Sequence, residues 1–319
     1  MKYDPDIIFN TWKTPDQVPH TLFLTATPHS DDSKHTQGHR IENSPVLHSD
    51  MIHNLLRHHS FSVIDILPVN EEIPDQDRIN SFQNLCKSLK EQVSHFGLWH
   101  LSFIRQHQSY LESFLTPEEK ELYNKYPLEL SRLRLLGGRI LIKLLVESFL
   151  DRDTLQSLSH TDIAILRNPD GSPRLTILGK DYPGLHFSLS HKEDYVMAVM
   201  SKHSKVGVDL ELLNQRARRI SAKFLSDKER KTIIHSTPNE DHLPKRFTAA
   251  WSAKECLLKI YGGNLLTLAR EFTIESIMPH CIKLTANYDK AKRHVIHNLE
   301  YQQHLISFTR TPTEDPAAS

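Results

Sequence analysis

The sequence predicts an α+β fold over most of its 319 residues. Apolar runs at strand spacing and at helix spacing are intermixed without the regular strand-helix-strand alternation of a doubly wound sheet. At roughly 100 to 200 residues per domain, the length suits about two domains, each with a sizeable core. The spacing of apolar residues becomes regular from about Gly97. This change separates an N-terminal extension (1–96) from two further segments (97–201 and 202–309) and a short tail (310–319).

The overall charge and the cysteines exclude several classes of protein. Lys plus Arg number 39 and Asp plus Glu number 39, which argues against a nucleic-acid binder that works through a basic field. Cys86, Cys256 and Cys281 lie far apart and form no CxxC motif, so neither a disulfide framework nor a cysteine-based zinc site is supported. We therefore expect a reducing, cytoplasmic environment.

No segment has the pattern of an export signal or a membrane span. The N-terminus, MKYDPDIIFNTWKTPD, carries charges and Pro where a signal peptide needs an apolar core. The richest apolar stretch, 135–150, is interrupted by Arg139, Lys143 and Glu147, which is typical of an amphipathic core helix. We expect no membrane partner.

The extension is rich in histidine and poor in regular apolar spacing. Its polar stretch 27–45 predicts a long loop or disorder. The runs 21–25 and 61–67 are strand candidates, and 79–96 is a helix candidate. A His-rich metal-binding or metal-hydrolase protein centred on this region is one alternative function, but HExxH and carboxylate-backed pairs of His at helix spacing are missing. The role of the extension remains open. Eight histidines fall within its first 60 residues: His20, His29, His35, His39, His48, His53, His58 and His59.

From Gly97 to about Leu212, local signals predict both helices and strands. LWHLSF (98–103) alternates like a strand. Thr116, with Pro and Glu after it, has the signature of a helix N-cap. A longer helix is predicted over 128–149, and the turn formers of 168–173 precede three strands. The predicted strands cover 186–190, 195–201 and 206–212.

The last hundred residues contain the clearest helix. Ser226 and Glu229 predict a second capping box. A helix follows over 245–261 and ends at Gly262-Gly263. Further strands are predicted over 270–274, 282–286 and 304–309, and the tail is predicted to be disordered. No short internal repeat is visible in the sequence.

Two carboxylates stand side by side in VGVDLE (206–211). In a strand, Asp209 and Glu211 share one face, while Val208 and Leu210 share the other. A hard cation such as Mg²⁺ makes such a pair favourable. The alternative is an edge strand with a solvated acidic face.

The helix 245–261 carries a second charged pair on one side. Glu255 and Lys259 lie nearly opposite the apolar stripe of the helix and four residues apart. They form either a surface ion pair worth about 0.3 to 0.5 kcal/mol or a third carboxylate for a metal with a cation for phosphate. Ser190 and His191 add a hydroxyl and an imidazole at a strand end, and the alternative role of His191 is to close a turn.

Taken in order, these segments resemble the motifs of the 4′-phosphopantetheinyl transferase superfamily, in its larger surfactin-synthetase-activating type. That pattern has a Ser-His strand end, a strand reading G-hydrophobic-D-hydrophobic-E, and a helix reading W-S/T-x-K-E-x-x-x-K. The resemblance covers about residues 98–309. The matching residues are Ser190, His191, Gly207, Asp209, Glu211, Trp251, Ser252, Lys254, Glu255 and Lys259.

The resemblance implies two similar α+β halves, 97–201 and 202–309, related by a pseudo-two-fold with coenzyme A in the cleft between them. Asp209, Glu211 and Glu255 would hold Mg²⁺, with Mn²⁺ as the alternative ion, against the pyrophosphate. Lys259 would contact the same pyrophosphate. His191, with Ser190, would bind the 3′-phosphate. The implied reaction moves the phosphopantetheine arm to a Ser hydroxyl of an apo acyl or peptidyl carrier protein and releases 3′,5′-ADP.

Some details depart from the family pattern or stay open. Ser172 stands where many relatives have Lys, and Arg174 is the candidate replacement. Arg139, with Arg132 and Arg134 as neighbours on the same predicted helix, is the best match for a further 3′-phosphate contact. Either Glu255 or a metal-bound water would serve as the base. Trp251 is expected to pack. A binding module that has lost the chemistry is the alternative function. The carrier is not readable, and one chain holding both halves suits a monomer.

Overall fold

The structure is a computed structural model. It describes the backbone of residues 7–13, 19–26 and 61–68, and then residues 95–147, 149–150, 157–168, 172–264 and 271–309. The predicted polar loop, nearly all of the predicted helix 79–96 and the predicted disordered tail lie outside these residues. Among the described helices, none is long and apolar enough to cross a membrane.

The described part of the extension is a three-stranded antiparallel sheet. It consists of β1 (Ile7–Lys13), β2 (Pro19–Ala26) and β3 (Phe61–Pro68), with β2 in the middle. The strands predicted over 21–25 and 61–67 are confirmed, and β1 was not predicted.

The described residues divide into two compact units. The first contains β1 to β3 with residues 95–183 and 194–196, and the second contains residues 184–193 and 197–309. The division places the strand over 186–192 with the second unit, whereas the sequence-based boundary lies after residue 201. We describe each unit by itself.

The rest of the first unit begins with a strand that leads directly into helices. The predicted strand over 98–103 ends at His100, whose Nδ1 accepts a hydrogen bond from the Ser102 amide and caps the next helix. Residues 163–181 then form an antiparallel three-stranded sheet. The elements are β4 (His95–His100), α1 (Leu101–Gln106), α2 (Gln108–Glu112), α3 (Pro117–Lys125), α4 (Glu129–Glu147), β5 (Ile163–Arg167), β6 (Pro173–Ile177) and β7 (Lys180–Asp181).

The predicted capping box at the start of α3 is confirmed, and it continues into a buried ion pair. Glu119 accepts the Thr116 amide at 3.0 Å and, through its other oxygen, the Ile165 amide at 2.9 Å. Lys143 of α4 places Nζ 2.7 Å from the same carboxylate and also donates to the Phe114 carbonyl at 2.8 Å. The cap therefore ties α3, α4 and β5 together.

The second unit is built on a five-stranded antiparallel sheet in the order β10-β14-β13-β12-β11. The strand β8 extends the predicted strand to Lys192, and Glu193 follows it with a φ of 46°. The elements are β8 (His186–Lys192), β9 (Tyr195–Ser201, its first two residues in the first unit), β10 (Val208–Leu212), α5 (Arg216–Arg219), α6 (Asp227–His235), α7 (Leu243–Tyr261), β11 (Phe272–Ile277), β12 (Cys281–Ala286), β13 (Asp289–Tyr301) and β14 (His304–Thr309).

Helix α7 packs on this sheet through its predicted apolar stripe. Ala250, Ala253 and Leu257 are completely buried in the core of the unit. The helix begins two residues earlier than predicted because Pro244 occupies its first turn, where a missing amide costs nothing. It ends at Gly262 with a φ of 75°, as the Gly-Gly pair predicted.

A second capping box confirms the prediction at α6 and repeats the arrangement at α3. Glu229 accepts the Ser226 amide at 2.7 Å and the Ile274 amide at 2.8 Å. Lys254 of α7 lies 2.9 Å from this carboxylate and donates to the Phe224 carbonyl at 2.9 Å. Each unit therefore contains a buried Glu-Lys pair that joins a capped helix, a long helix and a strand.

Candidate functional site

The two carboxylates of β10 lie on the face predicted from the sequence. Val208 and Leu210 are buried in the core, at 0% and 2% exposure, while Asp209 and Glu211 both turn toward α7. The alternation of the strand therefore places an acidic pair against the long helix. The solvated-edge alternative is wrong, because Asp209 is itself only 5% exposed.

Three donors from two other elements hold the Asp209 carboxylate. The Ser190 hydroxyl of β8 donates to Oδ1 at 3.1 Å, and the Ser252 hydroxyl of α7 donates to Oδ2 at 2.7 Å. Lys259 places Nζ 2.9 Å from Oδ1. This set of donors orients the carboxylate.

Lys259 contacts β10, whereas a surface ion pair on the helix would have placed it against Glu255. Its ammonium donates to the Val208 carbonyl at 2.6 Å as well as to Asp209, and so links α7 to the first residue of β10. The interpretation of Glu255 and Lys259 as a surface ion pair is wrong, because Lys259 points to the strand.

Glu211 is held from two sides. The Trp251 indole donates to Oε1 at 2.8 Å, and the Lys192 ammonium lies 2.5 Å from Oε2. Trp251 also packs edge-on against Phe224, with ring centroids 5.0 Å apart. Trp251 thus packs as expected and, in addition, orients a carboxylate.

Lys192 was not singled out in the sequence, because it directly follows the Ser-His pair and belongs to no motif.

Glu255 is the least satisfied carboxylate of the group. Among the described residues, no donor is within hydrogen-bonding distance of its side chain. Burial, followed by the nearby charge of Asp209, raises its pKa from 4.5 to about 7, and Lys259 opposes the rise. This half-buried carboxyl group changes protonation near neutral pH.

The serines of β8 join that strand to β10. The Ser188 hydroxyl accepts the Val208 amide at 3.1 Å, and the Ser190 hydroxyl accepts the Leu210 amide at 3.0 Å. Ser190 is 6% exposed, so its hydroxyl is used inside the protein. His191, the next residue, is exposed. Its contact with a phosphate remains a prediction.

The two predicted arginines lie in the first unit and have partners there. Arg139 is buried, with Nε 3.6 Å from Glu119, and burial lowers its pKa. Arg174 pairs with Asp181 at 3.1 Å on the surface, two residues after Ser172. Their phosphate contacts, and the replacement of the missing Lys by Arg174, remain predictions.

The carboxylates have the right chemistry for a hard divalent cation without forming a closed cage. Oxygen donors of this kind suit Mg²⁺, which also keeps water and phosphate ligands. Among the described residues, no group of three or more His, Cys, Asp or Glu side chains is arranged to hold a metal ion. All four oxygens of Asp209 and Glu211 already accept bonds from protein donors, so a cation would have to displace some of these donors. Burial and then the nearby charge of Asp209 raise the pKa of Glu255, and a bound cation would favour its ionised form.

Comparison with known proteins places this site in a family. Residues 205–309, which contain all three carboxylates and Lys259, match the model of the 4′-phosphopantetheinyl transferase superfamily. The chain is 32% identical over 97 residues to holo-[acyl-carrier-protein] synthase of Staphylococcus epidermidis, covering 30% of this chain and 79% of the synthase. The chain therefore belongs to the 4′-phosphopantetheinyl transferase superfamily, as its motifs predicted.

Two longer relatives match beyond this region. A phosphopantetheinyl transferase of Thraustochytrium sp. is 30% identical over 164 residues, which are 48% of this chain and 54% of that protein. The 4′-phosphopantetheinyl transferase psf-1 of Bacillus pumilus is 24% identical over 163 residues, which are 51% of this chain and 64% of psf-1. The chain thus spans about half the length of the first relative and less than two thirds of the second.

Proposed function

We propose that the protein transfers the 4′-phosphopantetheine arm of coenzyme A to a Ser hydroxyl of an apo acyl or peptidyl carrier protein, releasing 3′,5′-ADP in a Mg²⁺-dependent reaction. The observation that supports this most strongly is the cluster of Asp209, Glu211 and Glu255 with Lys259, within the region that matches the family model.

The reaction makes one bond and breaks one bond at phosphorus. The carrier Ser oxygen attacks the β-phosphorus of coenzyme A, and the bond from that phosphorus to the bridging oxygen breaks. The electron pair of this bond leaves with 3′,5′-ADP, and the Ser proton must go to a base. Such a transfer needs positioning and neutralisation of spreading negative charge. Lys259, already oriented by Asp209 and the Val208 carbonyl, supplies one positive charge.

Glu255 is the residue we assign as the base. A general base works best when its pKa lies near the working pH, and burial raises the pKa of this carboxyl to about 7 in the metal-free protein; a bound cation would lower it. Among the described residues no donor occupies its oxygens, so one oxygen can face the cation while the other accepts the hydroxyl proton.

The metal would be held by Asp209, Glu211 and Glu255. When bound, a divalent cation stabilises the charge on the transferring phosphoryl group. Ser190 is assigned a positioning role, because its hydroxyl donates to Asp209 and accepts the Leu210 amide. Trp251 has the same role toward Glu211.

Several finer points belong to the same proposal. His191, Arg139 and Arg174 are the candidates for the phosphates of coenzyme A. The two pseudo-symmetric halves are supported by the buried Glu-Lys pair that each unit contains. We place the protein in the cytoplasm, acting as a monomer, with no nucleic-acid or membrane partner.

Weighing the carrier protein by mass spectrometry tests this function. The protein is incubated with coenzyme A, Mg²⁺ and apo carriers of both acyl and peptidyl types, and we expect one phosphopantetheine to be added to at least one of them. If every carrier keeps its mass while still binding to the protein, the alternative of an inactive carrier-binding module is favoured.

A further inference from the structure

Lys192 is the cation at the site that the motifs do not include. It is the last residue of β8, and its ammonium lies 2.5 Å from Glu211 Oε2. The two side chains are only 17% and 16% exposed, so water screens their attraction poorly. This pair is therefore stronger than an ordinary surface ion pair.

Lys259, the other cation of the site, does not pair with Glu211. Lys259 donates to Asp209 and to the Val208 carbonyl, so its charge is directed at the neighbouring carboxylate. Glu211 accepts only a neutral indole donor at its other oxygen. Lys192 is thus the counter-charge of Glu211 among the described residues.

We propose that Lys192 is a built-in counter-cation that competes with a divalent cation for Glu211 and so sets the metal affinity of the site. The inference rests on the proposed function, because it takes Glu211 as a metal ligand. A metal approaching Oε2 must displace the ammonium, and the free energy of the Lys192–Glu211 pair is subtracted from the free energy of metal binding.

The displaced ammonium would remain beside the carboxylates. The main chain of β8 is tied to β10 by Ser188 and Ser190, so the Lys192 side chain moves while its backbone stays in place. It can then bind an anion that enters together with the metal, such as a pyrophosphate oxygen. Lys192 would therefore weaken the binding of the metal alone and strengthen the binding of the metal together with coenzyme A.

A titration of the whole chain with Mn²⁺ tests the proposal without measuring activity. Free Mn²⁺ is followed by electron paramagnetic resonance. Lys192→Met should bind Mn²⁺ roughly three- to thirtyfold more tightly than the wild type, because the competitor is removed. Lys192→Arg should stay close to the wild type. The matched control is Lys283→Met, which removes an exposed lysine of the same unit and should change the affinity less than twofold.

A second titration with coenzyme A at saturating Mn²⁺ should show weaker binding to Lys192→Met than to the wild type, by about three- to tenfold. Unchanged or weaker Mn²⁺ binding by Lys192→Met would overturn the proposal. If Lys192→Met does not fold, Lys192→Gln replaces it under the same criterion. If neither the wild type nor any variant binds Mn²⁺, both the role of Lys192 and the assignment of the metal ligands are wrong. If the wild type modifies the carrier but binds Mn²⁺ as tightly as Lys192→Met does, only the role of Lys192 is refuted.

Discussion

The fold opposes the ionisation of Glu255. Its pKa rises to about 7 because it is partly buried and faces the negative charges of Asp209 and Glu211. In the unfolded chain the same group titrates near 4.5. The folded state therefore holds a proton that the unfolded state releases between these two values, and stability falls as the pH rises through this window.

Replacing Glu255 by Gln should remove this pH dependence. In metal-free buffer, the free energy of unfolding of Glu255→Gln relative to the wild type should increase by about 1 to 2 kcal/mol between pH 5 and pH 8, after allowance for solvent screening. Urea unfolding of both proteins at several pH values measures the difference. A constant difference across the range would mean that Glu255 titrates as an ordinary carboxyl group.

At this scale, the sequence identified the charged residues better than the residues that orient them. A period of two along β10 was enough to place Asp209 and Glu211 on one face. The orienting bonds join β8, β10 and α7, and their partners are up to 50 positions apart in the chain, as for Lys259 and Asp209. No local pattern contains such pairs, so the positioning role of Ser190 and the presence of Lys192 required the structure.

At the scale of elements, the site depends on how closely β10 approaches α7. A Cβ atom added to Gly207 would lie 2.3 Å from the backbone oxygen of Cys256, which follows Glu255. Only glycine allows the strand to enter this close to the helix. The glycine of the strand motif is therefore explained by packing.

Gly207→Ala should push the strand and the helix apart. We expect a loss of about 1 to 3 kcal/mol in the free energy of unfolding, because the added methyl group meets backbone that cannot rotate away. Transfer to the carrier should also fall, since Asp209 and Glu255 would separate. Urea unfolding and carrier labelling measure the two effects, with Ser204→Ala in the preceding loop as the control. An unfolding midpoint equal to that of the wild type would contradict this packing argument.

The buried pair of Glu229 and Lys254 gives a second prediction for the elements around α7. Lys254→Met leaves an uncompensated carboxylate in the core and should cost about 3 to 5 kcal/mol. Adding Glu229→Gln should recover part of this loss, because the neutral amide oxygen still accepts backbone amides such as that of Ile274. A double-mutant cycle of unfolding free energies measures the coupling. Losses that simply add would show that the pair is not coupled.

Secondary structure was predictable wherever caps or apolar spacing are strong. The capping boxes at Thr116 and Ser226 and both long helices are confirmed. The long strand β13 was missed, because its first half, DKAKRH, is charged and largely exposed, and buried alternation begins only at Ile296. β5 and β6 were also missed, and β6 begins at Pro173, the last residue of the predicted turn 168–173.

At the scale of the whole molecule, the two units contain the same structural device. Each starts a helix with the pattern Phe-Leu-Ser/Thr-x-x-Glu, at 114–119 and 224–229, and each buries the Glu against a Lys of the following long helix. No internal repeat was visible in the sequence, because only three of six positions are identical and the residues between the Glu and the Lys differ. Buried ion-pair geometry thus reveals a similarity that sequence identity conceals.

The most direct test of the account compares carrier modification by the wild type and by Asp209→Asn. Asn keeps the size of the side chain and one acceptor oxygen but loses the charge that orients Lys259 and would bind the metal. We predict that the wild type and the exposed control Asp241→Asn add one phosphopantetheine to the carrier, and that folded Asp209→Asn is at least about a hundredfold slower. Transfer by Asp209→Asn at the wild-type rate would contradict the assignment of this carboxylate cluster as the active site.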